Sequence, residues 1–165
     1  MAKARSIEGL KADEPYASAA AKIVAVRASE VFEHSRDVLD VTDIERVHDM
    51  RVATRRLRAA LEIFEPCFPK DRWTEALGEV KAIADALGER RDRDVTVAAL
   101  DQFAAGLAAP DRPGLSSLVQ RIRAEQSEAN TGLGPFVGTE RLEALSERLS
   151  ELVGQAERNA AGEAA

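Results

Sequence analysis

Residues 45–58 of this chain read ERVHDMRVATRRLR, and they gather Arg46, Arg51, Arg55, Arg56 and Arg58 around His48 in a protein whose formal net charge is −6. The guanidinium group is a rigid fork that pairs in bidentate fashion with phosphate or carboxylate oxygens and stays cationic at cellular pH, and histidine adds a charge that varies near neutrality. On a helix turning about 100° per residue, Arg51, Arg55 and Arg58 fall within roughly 80° of His48, and Arg56 lies apart. Val47, Met50, Leu57, Leu61 and Phe64 occupy a neighbouring sector suited to a core. Like charges at i,i+3 and i,i+4 cost a few tenths of a kcal/mol per pair. That cost points to an anionic counterpart. Residues one turn apart stand about 5–6 Å from each other, so the row suits a chain of phosphates better than a single small anion. Solvation, or pairing with carboxylates drawn from the 29 Asp and Glu, is the alternative use of the same stripe.

Helices must carry these residues. The chain has 165 residues, 45% of them hydrophobic, 32% charged and 4% aromatic, which fits one soluble, helix-rich domain. Pro15 after Asp13 and Glu14 marks a first helix reaching to about residue 40, and Thr42 or Asp43 offers an N-cap for a second that stops before Pro66. A third, through Trp73, Leu77, Val80, Ile83 and Leu87, is expected to end near Gly88 to Arg90, with Asp92 or Asp94 capping a fourth through Phe103. GLAAPDRPG and TGLGPFVG read as breaks around a fifth helix, and Leu142, Leu145, Leu149 and Leu152 mark a sixth. The expected architecture is all-α, an antiparallel bundle of about six helices over residues 14–158, with flexible tails at 1–13 and 159–165. No secretion signal or membrane span is visible, and the lone Cys67 forms no internal disulfide, so a cytoplasmic location is expected.

Two segments carry a resemblance. VHDMRVATRRLRAALEIF fits the pattern His-x-Met-Arg-Val-x-x-Arg-Arg-x-Arg, and Leu87 to Val95 fits Leu-Gly-x-x-Arg-Asp-x-Asp-Val. Together they resemble the CHAD family, a histidine-containing α-helical domain associated with inorganic polyphosphate. The resemblance implies a helical bundle that binds polyphosphate without catalysis, requires no cofactor, and works beside polyphosphate granules or the enzymes that metabolise the polymer. Carried onto matching positions, it puts His48, Arg51, Arg55, Arg56 and Arg58 on the second helix and Lys81 and Arg91 on the third; Arg121 and Arg123 are weaker candidates. Many members are longer and hold two related halves, so the single motif copy here implies an open groove, which is either completed by a second copy of the chain as a homodimer or binds polyphosphate weakly on one face.

Other chemistry is poorly supported. The partners of His48 at one helical turn read as arginines and not carboxylates or histidines, which leaves no evident set of metal ligands. Asp92 and Asp94 read as caps that orient neighbouring arginines, His34 as an ordinary exposed histidine, and Cys67 as packing. No glycine-rich phosphate loop or nucleophile elbow is present. The competing function is a nucleic-acid-binding or regulatory protein using the same stripe, disfavoured by scarce aromatics for base stacking and by the acidic overall charge.

Overall fold

A computed structural model describes residues 3–108, 110 and 112–163. It contains five α-helices in chain order: α1 Tyr16–His34, α2 Ile44–Ile63, α3 Lys70–Ala105, α4 Arg112–Val137 and α5 Thr139–Glu163, with one short 3-10 turn, Glu65–Cys67, between α2 and α3. The fold is an all-α bundle with five helices where six were expected. The missing boundary is the one anticipated after Leu87. Instead α3 runs unbroken for 36 residues, about 54 Å, straight through Gly88, Asp92 and Asp94. A mid-helix glycine costs about 1 kcal/mol. Burial of Leu87 and Val97 on either side outweighs it.

The punctuation elsewhere acts as its chemistry suggests. Asp43 accepts a hydrogen bond from the Glu45 N–H at 3.2 Å and caps α2, and Thr42 turns to Asp40 instead. Phe64 closes α2 by donating its N–H to the Ala60 carbonyl before Pro66. The first helix is shorter than expected, because the chain leaves it at Ser35 and Asp37 adopts a left-handed φ of 54°. Val38 is still buried, held from a loop. TGLGPFVG interrupts the chain later than anticipated: α4 continues through Pro135 to Val137, because Leu133 and Val137 are buried one turn apart, and only Gly138 separates it from α5.

Neighbouring helices run antiparallel. Tyr16 Oη donates to the Ile63 carbonyl, joining the start of α1 to the end of α2, and Trp73 Nε1 donates to the Leu61 carbonyl across the start of α3. Along α3 and α4, Arg90 meets Asn130 and Arg123 meets Asp101. After Gly138, α5 keeps the direction of α4 and lies antiparallel to the first half of α3, where Arg148 meets Glu79. It also packs along α1. Thus α3 is a spine covered by α2 and α5 over its first half and by α4 over its second. The core fills that first half with Val24 and Val31 of α1, Met50, Leu57 and Leu61 of α2, Val80, Ile83 and Leu87 of α3, and Leu145, Leu149 and Leu152 of α5. Each such side chain contributes about 1.5–3 kcal/mol by leaving water. Cys67, the single cysteine, is buried within the same cluster.

At the ends, Arg5 donates its backbone N–H to Glu30 of α1 and its guanidinium to Glu33, and the Asn159 side chain of α5 reaches the Cys67 carbonyl. Within the segments expected to be flexible tails, residues 1–2 and 164–165 lie outside the described residues.

Candidate functional site: a basic face between α2 and α3

The core contacts of α2 fix which residues it can show to solvent. With Val47, Met50, Ala53, Leu57 and Leu61 turned inward, the residues Arg51, Arg55, Arg58 and Glu62 share a sector about 60° wide on one flank. Contacts identify that flank as the one beside α3. Glu62 Oε1 lies 3.6 Å from Lys81 Nζ, and a methyl group in place of the Gly88 hydrogen would lie 4.0 Å from Arg51 Nε. At the other end of the pair, Arg91 Nη1 donates to the Ile44 carbonyl at 3.0 Å and meets Glu45 Oε1 at 3.3 Å. Lys81, Gly88 and Arg91 therefore border the same seam that Arg51, Arg55 and Arg58 border from α2.

The cations along this seam differ in what they already hold. Arg51 and Arg55 make no hydrogen bond or ion pair with any described residue, Arg51 half-buried and Arg55 exposed. Arg58 Nε donates to Glu62 Oε1 at 2.9 Å, the same oxygen that faces Lys81. Arg91 is the most committed, with a side chain only 17% exposed and a backbone carbonyl among its partners. The hydrogen bond from Arg58 leads in holding the Glu62 carboxyl below the usual range, against a smaller opposing effect of burial and with help from the Lys81 charge.

Arg56 points elsewhere. It lies toward α1, where its charge favours ionised Glu30, a carboxylate only 2% exposed that is also held by the Arg5 N–H and Arg27. Arg121 and Arg123 are exposed on α4, and Arg123 meets Asp101 at 2.7 Å. His48 is half-buried, and Glu45 and Asp49 each bring a ligating atom within 4.8 Å of it and of one another. The expectation that only arginines stand one turn from His48 is thereby corrected, since Glu45 stands one turn back and Asp49 is its neighbour in sequence. Glu45 is already engaged by Arg91, so the cation beside this group is a guanidinium. By contrast, an open cleft between α1 and α5 is lined by Ala28, Phe32, Ser146, Leu149 and Val153, and Glu157 is the ionisable residue among its described lining.

Asp94 was expected to cap a helix. It is instead buried inside α3, 2.9 Å from Arg90 Nε, and accepts from Gln126 of α4 at 2.6 Å. Arg90 reaches Asn130 Oδ1 at 2.5 Å, and Asn130 donates to the Leu39 carbonyl in the loop before α2. Asp92 stays exposed within the same helix. Adjacent arginines thus divide the work of α3: Arg90 ties it to α4 and the loop, Arg91 to the first turn of α2.

The family model of the CHAD domain matches residues 22–165, from the second turn of α1 to the end of the chain. The chain belongs to the CHAD domain family. No curated protein matches it. CHAD domains in general bind inorganic polyphosphate. In this CHAD domain both signature segments border the seam, His48 to Ile63 on α2 and Leu87 to Arg91 on α3, while Asp94 of the second segment faces the interior. No described helix is long and apolar enough to cross a membrane.

Proposed function

We propose that this CHAD domain binds inorganic polyphosphate, without a catalytic step, along the seam between α2 and α3. The supporting observation is that Arg51 and Arg55, at the centre of the row, hold no carboxylate among the described residues. Leaving two guanidinium groups one turn apart without counter-charge costs a few tenths of a kcal/mol, and a bound polyanion offsets it. Arg58 and Lys81 continue the track, Arg91 and His48 border its far end, and the row follows the helix axis as a linear polymer would. Arg56 belongs to the α1 side and contributes to folding. Recruitment to polyphosphate granules follows naturally from such binding.

Titration with long-chain polyphosphate, DNA and RNA at several salt concentrations tests the reading. Polyphosphate binding that weakens steeply with salt and exceeds both nucleic acids is the expected result, since each engaged phosphate releases counterions. Equal binding of all three polyanions would favour a general nucleic-acid surface instead.

A further inference from the structure

An acid stands beside the exposed cations of the row. Glu62 lies one turn beyond Arg58 on the same flank of α2, and a single oxygen of its carboxylate serves Arg58 Nε at 2.9 Å and Lys81 Nζ at 3.6 Å across the seam. All three side chains are 43% exposed, so nothing in the core requires the contact. The pairing differs from that of Arg91 with Glu45, where a backbone carbonyl also holds the guanidinium and burial fixes it. Arg58 and Lys81 make no hydrogen bond or ion pair with another described residue. Glu62 therefore occupies the position that the next phosphate of a chain leaving Arg55 would take.

We propose that Glu62 is a resident competitor for the seam, an internal anion that a long phosphate chain displaces and a short one does not. The inference rests on the reading of the seam as a phosphate-chain site. A short phosphate arriving from solution must expel a carboxylate that is tethered to the same helix and so present at high effective concentration. A long chain first engages Arg51 and Arg55, whose side chains hold no described residue, and its next units then meet Arg58 and Lys81 by an intramolecular step of the same kind. Each of these units offers two non-bridging oxygens, one for each cation, where the carboxylate commits one to both. The result is discrimination by length without a closed pocket.

The test compares the full chain and its Glu62→Gln variant by calorimetric titration with tripolyphosphate and with long-chain polyphosphate, helicity being checked by circular dichroism. Removing one unit charge at a solvent-exposed contact is expected to tighten tripolyphosphate binding about five-fold and long-chain binding by less, narrowing the ratio between them. Glu62→Asp, which keeps the charge, is expected to retain wild-type discrimination. A structural role for Glu62 predicts the opposite sign, weaker binding of both ligands in Glu62→Gln, and either that result or an unchanged tripolyphosphate affinity overturns the inference. If the wild type binds long chains and loses them on reversal of Arg51 and Arg55 while Glu62→Gln behaves as wild type, only the role of Glu62 fails. If neither protein binds any phosphate chain, the proposed function fails with it.

Discussion

Arg90 and Asp94 form an ion pair within α3 whose two side chains are both wholly removed from solvent, Nε to Oδ1 at 2.9 Å. Arg90 Nη2 and Asp94 Oδ2 are buried without a hydrogen-bond partner among the described residues. Such a pair is weak as a source of stability and costly to break, because removing one member strands a charge in a low-dielectric interior. Its role is to hold α3 against α4 and, through Asn130, against the loop that leads into α2.

Asp94→Ala is accordingly expected to destabilise the fold by about 3–5 kcal/mol, read from urea denaturation. Replacing both partners with apolar residues, Arg90→Met with Asp94→Leu, is expected to recover most of that loss, since no charge is then left unpaired. A double variant as unstable as the single one would mean that the pair's own geometry matters to the fold.

Reversal of Arg51 and Arg55 to glutamate addresses the seam itself. Both side chains reach solvent and neither is bonded to a described residue, so helicity is expected to stay at the wild-type level. Polyphosphate binding is expected to fall, and the slope of log affinity against log salt to shrink by about 0.7–0.9 for each phosphate that is no longer neutralised. The same reversal at Arg121, exposed on α4, is expected to leave both quantities close to wild type.

Gly88→Ala isolates the cost of a glycine inside a long helix. The added methyl meets only Arg51 Nε, at an ordinary contact distance of 4.0 Å. The variant is expected to gain about 0.5–1 kcal/mol in denaturation experiments, with binding largely retained.

Stability against pH should reflect Glu14, just before α1, and Glu30 within it. The Lys22 ammonium, bonded at 2.6 Å, leads in lowering Glu14 from 4.5 to about 2, assisted by the Lys11 N–H and the Ser18 hydroxyl. Because the folded value lies below the unfolded one, the contribution is complete above about 4.5 and disappears as pH falls through about 2. For Glu30, burial opposes the charge, yet the Arg5 N–H and Arg27 overcome it, and its contribution has the same sign. Urea midpoints are expected to drop across that acid range, and Lys22→Met to flatten the drop.

The parts legible from sequence are those set by local chemistry. Residues 43–64 carry an acidic cap and a strong apolar period, so both the existence of α2 and the sector holding Arg51, Arg55 and Arg58 follow from counting residues. The continuity of α3 does not, because Gly88 and the acids after it have the chemistry of a helix end, and only the tertiary burial of Leu87, Arg90 and Asp94 decides otherwise. Arg90 has the look of any solvated charge, since a sequence does not show which of two adjacent arginines turns inward. Glu62 carries a local signal, an acid four residues after Arg58, but the spacing of the cations alone does not single it out. Its link to Lys81 requires the packing of two helices.

The unequal clothing of α3 has a further consequence. Past Arg91 the helix leaves α2 behind, and the hairpin it forms with α4 buries Val97 but leaves Val95 and Phe103 at 50% and 62% exposure. With so little apolar area holding it shut, this arm should open by itself at a small fraction of the global unfolding free energy. Deuterium uptake at the amides of residues 97–103 is then expected to run well ahead of uptake at residues 76–87, so that the two halves of one continuous rod exchange on separate clocks.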